Sequence, residues 1–290
     1  MDNYSTYILD QYFLVSDIAA NTKKLYKQSF QLLLKFCEKN ILHVNSEDIA
    51  KFRESRNHLK RNTLNKDLMA FSSFYTWAEK EKLIQNNPVN KIKKYRLKKS
   101  EKIRENYISH EDALDLIEEP LKPKIKEPRK LQLRDHAILA TLYYAGLRVS
   151  ELCNLRIADF RGNTLYIESS KGNRSRSVEI PTTLQNIIRK YLKEIKPETY
   201  LFSKNGKKLS TNTIRNIVSK YAKRAKIIAI GDKTNVTPVT LRHSYATHLT
   251  SLGVSPIVLG EQMGNPTAVS RYAHPTQTAK RRAANLMEAK

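Results

Sequence analysis

The chain has 290 residues, enough for two domains of ordinary size, and 40% of them are hydrophobic, which excludes a disordered polycation. Its 52 Lys and Arg against 28 Asp and Glu give a net charge of +24 and a pI near 9.9, so a polyanionic partner is implied, nucleic acid before an anionic membrane. No apolar run approaches the ~20 residues of a spanning helix, and the N-terminus Met1-Asp-Asn-Tyr4 lacks the basic-then-apolar order of a signal peptide. Cys37 and Cys153 lie far apart and suggest neither a disulfide framework nor a zinc site, so a cytoplasmic protein without a membrane partner is expected.

Apolar periodicity predicts four helices in the first ~95 residues. The first runs over Tyr4 to Val15, with Tyr7, Ile8, Tyr12 and Phe13 inward. Asn21 is the expected cap of a second, carrying Leu25, Phe30, Leu33, Leu34 and Cys37. Ser46 is the expected cap of a third, with Ile49 and Phe52 inward. The fourth spans about Asn62 to Leu83, with Leu64, Leu68, Phe71, Phe74, Tyr75 and Ala78 on one side, and Asn87-Pro88 marks a turn after it. A basic run from Lys91 to Arg104 follows, including Lys93, Lys94, Arg96, Lys98 and Lys99. It reads as a linker crossing a DNA backbone, where each neutralised phosphate releases counterions. The domain limits expected are 1–95, a linker 96–105, and 106–290.

Beyond Tyr107 the pattern is mixed. Ser109 opens a helix as a cap, Arg129 to Ala145 is a long apolar helix ended by Gly146, and Arg148 to Leu155 begins another. Thr164 to Glu168 and Ser177 to Ile180 read as strands of a hairpin whose tip, Ser169 to Arg176, is basic. Helices follow at about 182–195, 210–226, 240–252, 255–263 and 276–288.

Cleaving a phosphodiester needs a nucleophile, cations around the non-bridging oxygens and a proton donor for the leaving oxygen. Arginine suits the second task because its planar fork binds two oxygens at once. Alone, Arg148 and Arg242 are ordinary basic residues and Tyr272 is one of 15 tyrosines. His243 and His248 are five apart, off the four-residue spacing of a metal pair, and His136 reads as a packing residue.

Their setting says more. Ala145-Gly-Leu-Arg-Val-Ser-Glu-Leu152 resembles the first arginine block of the tyrosine site-specific recombinases, in particular the Xer type. Leu241-Arg-His-Ser-Tyr-Ala-Thr-His248 resembles their second, Lys171 is similar to their hairpin-tip lysine, and Arg271-Tyr-Ala-His274 to their nucleophile block. The resemblance covers nearly the whole chain. It implies a mainly α fold with a small antiparallel sheet: a helical core-binding domain and a catalytic domain closing on DNA as a C-shaped clamp. It implies that Tyr272 forms a 3′-phosphotyrosyl bond, that Arg148 and Arg242 stabilise the phosphate, and that Lys171 protonates the leaving 5′ oxygen. Glu151 then steadies the site, and Lys93, Lys94, Arg96, Lys98, Lys99, Arg174 and Arg176 grip DNA. No cofactor is implied, because the phosphotyrosyl link stores the bond energy. The implied partners are double-stranded DNA with a specific site and a homotetramer on two paired duplexes; a partner recombinase or activator stays open. The apolar residues Ala283, Ala284, Leu286 and Met287 would dock the tail into a neighbouring subunit.

Two positions depart from the family pattern. Val239 stands where the family has a histidine, and Asn265 where it has His or Trp. Valine cannot donate to a phosphate, and Asn265 can donate a hydrogen bond but not act as acid or base. These departures support a rival reading, a catalytically degraded DNA-binding relative. A relaxing topoisomerase of similar chemistry is a third.

Overall fold

In a computed structural model of the chain, the described residues are 2–96, 106–123, 126–168, 175–231 and 235–264. The chain divides into two compact units, Met1–Lys102 and Ile103–Lys290. Among the described residues the structure is mainly helical, with two small antiparallel sheets.

The first unit is built from α1 (Asn3–Val15), α2 (Ala20–Cys37), α3 (Ser46–Ser55) and α4 (Arg61–Lys80). Aromatic rings form its centre: Phe30, Phe71, Phe74 and Tyr75 are fully buried, and Tyr12 meets Phe74 edge-on at 5.4 Å. All six predicted inward positions of α4 are buried. Three details differ from the sequence expectation. Asp2 caps α1, whose buried stripe is Ser5, Ile8, Leu9, Tyr12 and Phe13, so Tyr7 falls off the stripe and is exposed. α2 starts before Asn21, which therefore lies inside the first turn, and Leu25 is exposed. Asn45 caps α3 in a reciprocal box with Asp48, while the Ser46 hydroxyl donates to the Pro88 carbonyl at 2.7 Å.

The segment after α4 is tied back onto the unit. Asn65 and Tyr95 exchange two hydrogen bonds of 2.9 Å, side-chain amide to backbone. Arg53 donates to the Lys93 carbonyl at 3.1 Å and lies over the Tyr95 ring at 4.1 Å, and Arg61 donates to the Arg96 carbonyl at 2.9 Å. Lys93, Lys94 and Arg96 are consequently exposed cations on a pinned backbone. Lys98 and Lys99 lie outside the described residues.

The second unit packs around α6 (Arg129–Tyr144), in which Leu133 and every residue from Asp135 to Tyr143 are buried. α5 (His110–Glu118), α8 (Thr182–Ile195), α9 (Thr211–Arg224) and α10 (Pro238–Ser251) surround it. The polar residues this burial traps are partnered. Asp135 binds Arg134, Lys220 and the Tyr221 hydroxyl; His136 binds Glu118 at 3.1 Å, and burial holds its pKa below the ordinary value. The short α7 (Val149–Asn154) follows α6 through Gly146, and α11 (Pro256–Met263) follows α10.

The larger sheet has the order β1-β2-β3, from Phe160–Arg161, Thr164–Ile167 and Arg176–Glu179. β2 and β3 pair with Leu165 opposite Val178 and Ile167 opposite Arg176. The hairpin tip at 169–174, with Lys171 and Arg174, lies outside the described residues, as does the helix expected at 276–288. A second hairpin, β4 (Ser203–Lys204) and β5 (Lys207–Lys208), was not predicted. Its signal is Asn205-Gly206, both at positive φ, the dipeptide a two-residue primed turn demands.

Replacing Asn65 with alanine removes both bonds to Tyr95. The expected outcome is a loss of about 1–2 kcal/mol from the first unit with faster hydrogen exchange at the Tyr95 amide, read by denaturant titration and exchange NMR.

Candidate active site

The site grows from the end of α6. The chain must turn sharply there, and Gly146 makes the turn at φ +57°. Tyr245 of α10 lies flat against this glycine, so that any Cβ at 146 would overlap its ring. The turn delivers Arg148 to the start of α7 and Glu151 one turn further in. The carboxylate of Glu151 accepts from the Arg148 backbone amide and from its guanidinium, both at 2.8 Å.

Glu151 is buried, yet three guanidiniums reach it. Arg176 of β3 binds it as a fork, Nη1 to Oε1 and Nη2 to Oε2, both at 2.9 Å. Arg242 of α10 stands 4.0 Å from Oε2 and donates to the carbonyls of Gly146 and, at 2.7 Å, Met263. Burial pushes the Glu151 carboxyl up, but the bonds from Arg176 and the Arg148 backbone, with the Arg176 charge, outweigh it and hold the group below its usual 4.5. Burial likewise raises the Tyr245 phenol against the lowering effect of Arg242 and Arg176.

The same three arginines also close the C-terminal end of α11. Arg176 Nε donates to the Gln262 carbonyl at 2.9 Å, Arg242 to Met263, and Arg148 Nη2 more weakly to Gly264 at 3.4 Å. Three successive carbonyls at a helix end, the negative end of its dipole, each face a guanidinium. Arg148 keeps 40% of its side chain exposed, against 12% for Arg242 and 11% for Arg176.

The structure thus brings together Arg148, Glu151 and Arg242. It places Arg176 differently from the sequence expectation: rather than facing DNA from the hairpin, its guanidinium is turned inward and spent on Glu151 and Gln262. Strand alternation carried that information, because Arg176 shares a face with the buried Val178. Val239 lies in the first turn of α10, one turn before Arg242, and is 57% exposed. Lys171, Asn265 and Tyr272 lie outside the described residues. Sequence reasoning missed Tyr245 as the plate beneath Gly146 and the three arginine-bound carbonyls. Among the described residues no group of His, Cys, Asp and Glu is arranged to hold a metal ion, and no helix is long and apolar enough to cross a membrane.

Residues 89–279 match the phage integrase family, and residues 9–82 match the phage integrase N-terminal SAM-like domain. The chain belongs to this family, that of the tyrosine recombinases, enzymes that cleave and rejoin DNA. It is 32% identical over 265 residues to a tyrosine recombinase of Thermosipho africanus (strain TCF52B), covering 88% of each chain. It is 35% identical over 201 residues to the tyrosine recombinase XerA of Pyrococcus furiosus, covering 65% of this chain and 68% of the relative. Its fold is that of the XerH recombinase solved with a palindromic difH substrate after cleavage (TM-score 0.71, 18% identity, 99% of this chain and 90% of that one). It is also that of the lambda integrase tetramer solved on a Holliday junction (TM-score 0.73, 17% identity, 92% and 76%).

The acid dependence of stability checks the hub. A carboxyl held below its unfolded value contributes stability that is complete above pH ~4.5 and is lost as pH falls through the folded value. Glu151→Gln is expected to lose about 3 kcal/mol at neutral pH, since three guanidiniums lose their counter-ion. It should also lose part of the wild-type fall in melting temperature on acidification, measured by thermal melts across that range.

Proposed function

We propose that this chain performs site-specific recombination of double-stranded DNA through a 3′-phosphotyrosyl intermediate. The observation that carries the reading is the meeting of Arg148 and Arg242, from helices far apart in sequence, at one buried carboxylate. Arg148 and Arg242 bind the non-bridging oxygens of the scissile phosphate. The Tyr272 oxygen gives up its proton to water and bonds to phosphorus, the bond to the 5′ oxygen breaks, and Lys171 protonates that oxygen. Attack by a 5′ hydroxyl of the partner strand reverses the step and releases Tyr272. Asn265 acts as a positioning donor beside the phosphate.

The proposed domains are a helical core-binding domain at 1–95, a linker at 96–105 and a catalytic domain at 106–290. Lys93, Lys94 and Arg96, exposed and pinned, supply part of the grip, with Lys98 and Lys99 beside them in sequence and Arg174 from the second domain. The working assembly is a homotetramer on two duplexes, each tail docking into a neighbour. The lambda integrase neighbour was solved as a tetramer bound to a Holliday junction, which supports the four-subunit part of this reading. Dimer resolution and mobile-element integration are both served by this chemistry.

The test is a set of nicked suicide duplexes built on inverted repeats beside the gene. Wild type should form a covalent adduct, and Tyr272→Phe should bind equally but form none. Arg148→Ala and Arg242→Ala should each cleave on the order of 10²–10³-fold more slowly while binding falls far less, because many other cations hold the backbone. An adduct formed by Tyr272→Phe would assign the nucleophile to another tyrosine.

Val239 favours the rival reading of a degraded relative, and its exposure makes that reading testable. An imidazole at 239 has room one helical turn before Arg242. Val239→His is expected to raise the single-turnover cleavage rate several-fold, on the scale of one added donor to the phosphate. If wild type forms no adduct and the histidine variant does, the DNA-binding reading replaces the enzymatic one.

A further inference from the structure

We propose that Arg176 is a positioning residue for cleavage: it locks the Glu151 carboxylate and the end of α11 into the arrangement in which Arg148 and Arg242 receive the scissile phosphate. The inference rests on the reading given under Proposed function.

Three observations carry it. All three guanidinium nitrogens of Arg176 are engaged in one direction, two on Glu151 and one on the Gln262 carbonyl, each at 2.9 Å. The planar fork is therefore fixed in rotation as well as position, which a lysine could not reproduce. Next, Gly264 lies against the guanidinium at φ +62°; a Cβ there would come within 2.8 Å of Arg176 Nη1. Backbone and guanidinium approach as closely as only glycine allows. Finally, Arg176 connects the elements that bear the proposed catalytic groups. It stands on β3, which leads from the loop of Lys171; it holds Glu151 on α7 beside Arg148; and it holds the end of α11, nine residues before Tyr272 in sequence.

The physical consequence follows from charge and geometry. Glu151 faces Arg148 from its own helix, Arg176 from β3 and Arg242 from α10, with the Tyr245 phenol near the last two. Without Arg176 the carboxylate loses the one partner among the described residues that meets both of its oxygens through side-chain nitrogens. It is then free to turn further onto Arg148, which it already meets at 2.8 Å, or to close the 4.0 Å gap to Arg242, and so neutralise the cations meant for phosphate. Misplacing a positioned group by about 1 Å costs ~10²-fold in rate.

The experiment compares wild type, Arg176→Lys and Arg176→Met on the nicked duplexes. It measures the single-turnover rate at saturating DNA well below each melting temperature, together with Kd and its salt dependence. The expected result is a rate about 10²-fold lower in Arg176→Met and intermediate in Arg176→Lys, with Kd within about twofold and an unchanged salt slope. A weaker Kd with a salt slope smaller by about one, and an unchanged rate at saturation, would make Arg176 a grip residue and overturn the proposal. A lowered melting temperature with an unchanged rate would overturn it equally, as a purely structural role.

A measurement without DNA separates this proposal from the reading it rests on. In Arg176→Met the Glu151 carboxyl, followed by ¹³C NMR, should titrate at higher pH, and the amides at the end of α11 should exchange faster. If both stay as in wild type, the proposal fails even when the wild-type enzyme forms its adduct. If both change while wild type forms no adduct on any duplex, the lock stands and the enzymatic reading falls.

Discussion

Like charges must be held side by side if two arginines are to grip one phosphate, and Glu151 is what permits it. Two unit charges 4 Å apart interact by about 4 kcal/mol at an effective dielectric constant of 20. Three guanidiniums gathered without a counter-ion would repel each other by several times that amount. A single buried carboxylate, bonded to two of them and 4.0 Å from the third, offsets the repulsion without cancelling it. The four side chains together keep a net charge of +2. That is the charge a pentacoordinate phosphorane dianion calls for, and it exceeds what a ground-state phosphodiester monoanion needs. In the proposed reaction a surplus of this size would favour the transition state over the substrate, which is the condition for catalysis.

Everything else in the second unit positions that cluster. α6, buried along most of its length, is the axis; Gly146 turns the chain off its end, and the Tyr245 ring fits where a side chain at 146 would stand. The same contact brings α10, and with it Arg242, against the turn that carries Arg148. The polar cost of so buried an axis is met by partners such as Tyr221 and Lys220 on α9, which satisfy Asp135. The first unit uses a comparable device: Arg53, Arg61 and Asn65 hold the backbone of Lys93 to Arg96, leaving exposed cations on a chain with little backbone entropy left to lose.

The sequence carried the helices because apolar residues recur at helical spacing over long stretches, as along α4 and α6. It also carried Arg148, Glu151 and Arg242, through blocks whose order is hard to meet by chance. It was less informative where the deciding contact is distant in the chain. Asn21 has the chemistry of a cap, but the helix begins before it; Tyr7 is as apolar as Tyr12, yet only Tyr12 reaches the ring cluster. Arg176 lies in a basic stretch, where the family resemblance implies a DNA contact. Its partner Glu151 is 25 residues away, and only the alternation with Val178 pointed inward. Asn205-Gly206 is a local turn signal, but the strands on either side are only two residues long and carry no alternation to mark them.

The division among the three arginines gives the cluster its last property. Arg176 is closed, with its nitrogens committed at 2.9 Å to groups of the protein. Arg148 is open: it is 40% exposed, and its bond to the Gly264 carbonyl, at 3.4 Å, is long and easily exchanged. A phosphate oxygen carries more charge than a carbonyl and makes the stronger bond to a guanidinium, so it can take the place of Gly264 on Arg148. Arg242 presents the same exchange at Met263, with a shorter bond to give up. In the proposed reaction the carbonyls at the end of α11 would thus act as placeholders that keep two arginines oriented until phosphate arrives. On the same proposal Arg176, with its nitrogens committed to Glu151 and Gln262, would keep the helix attached while the other two change partners.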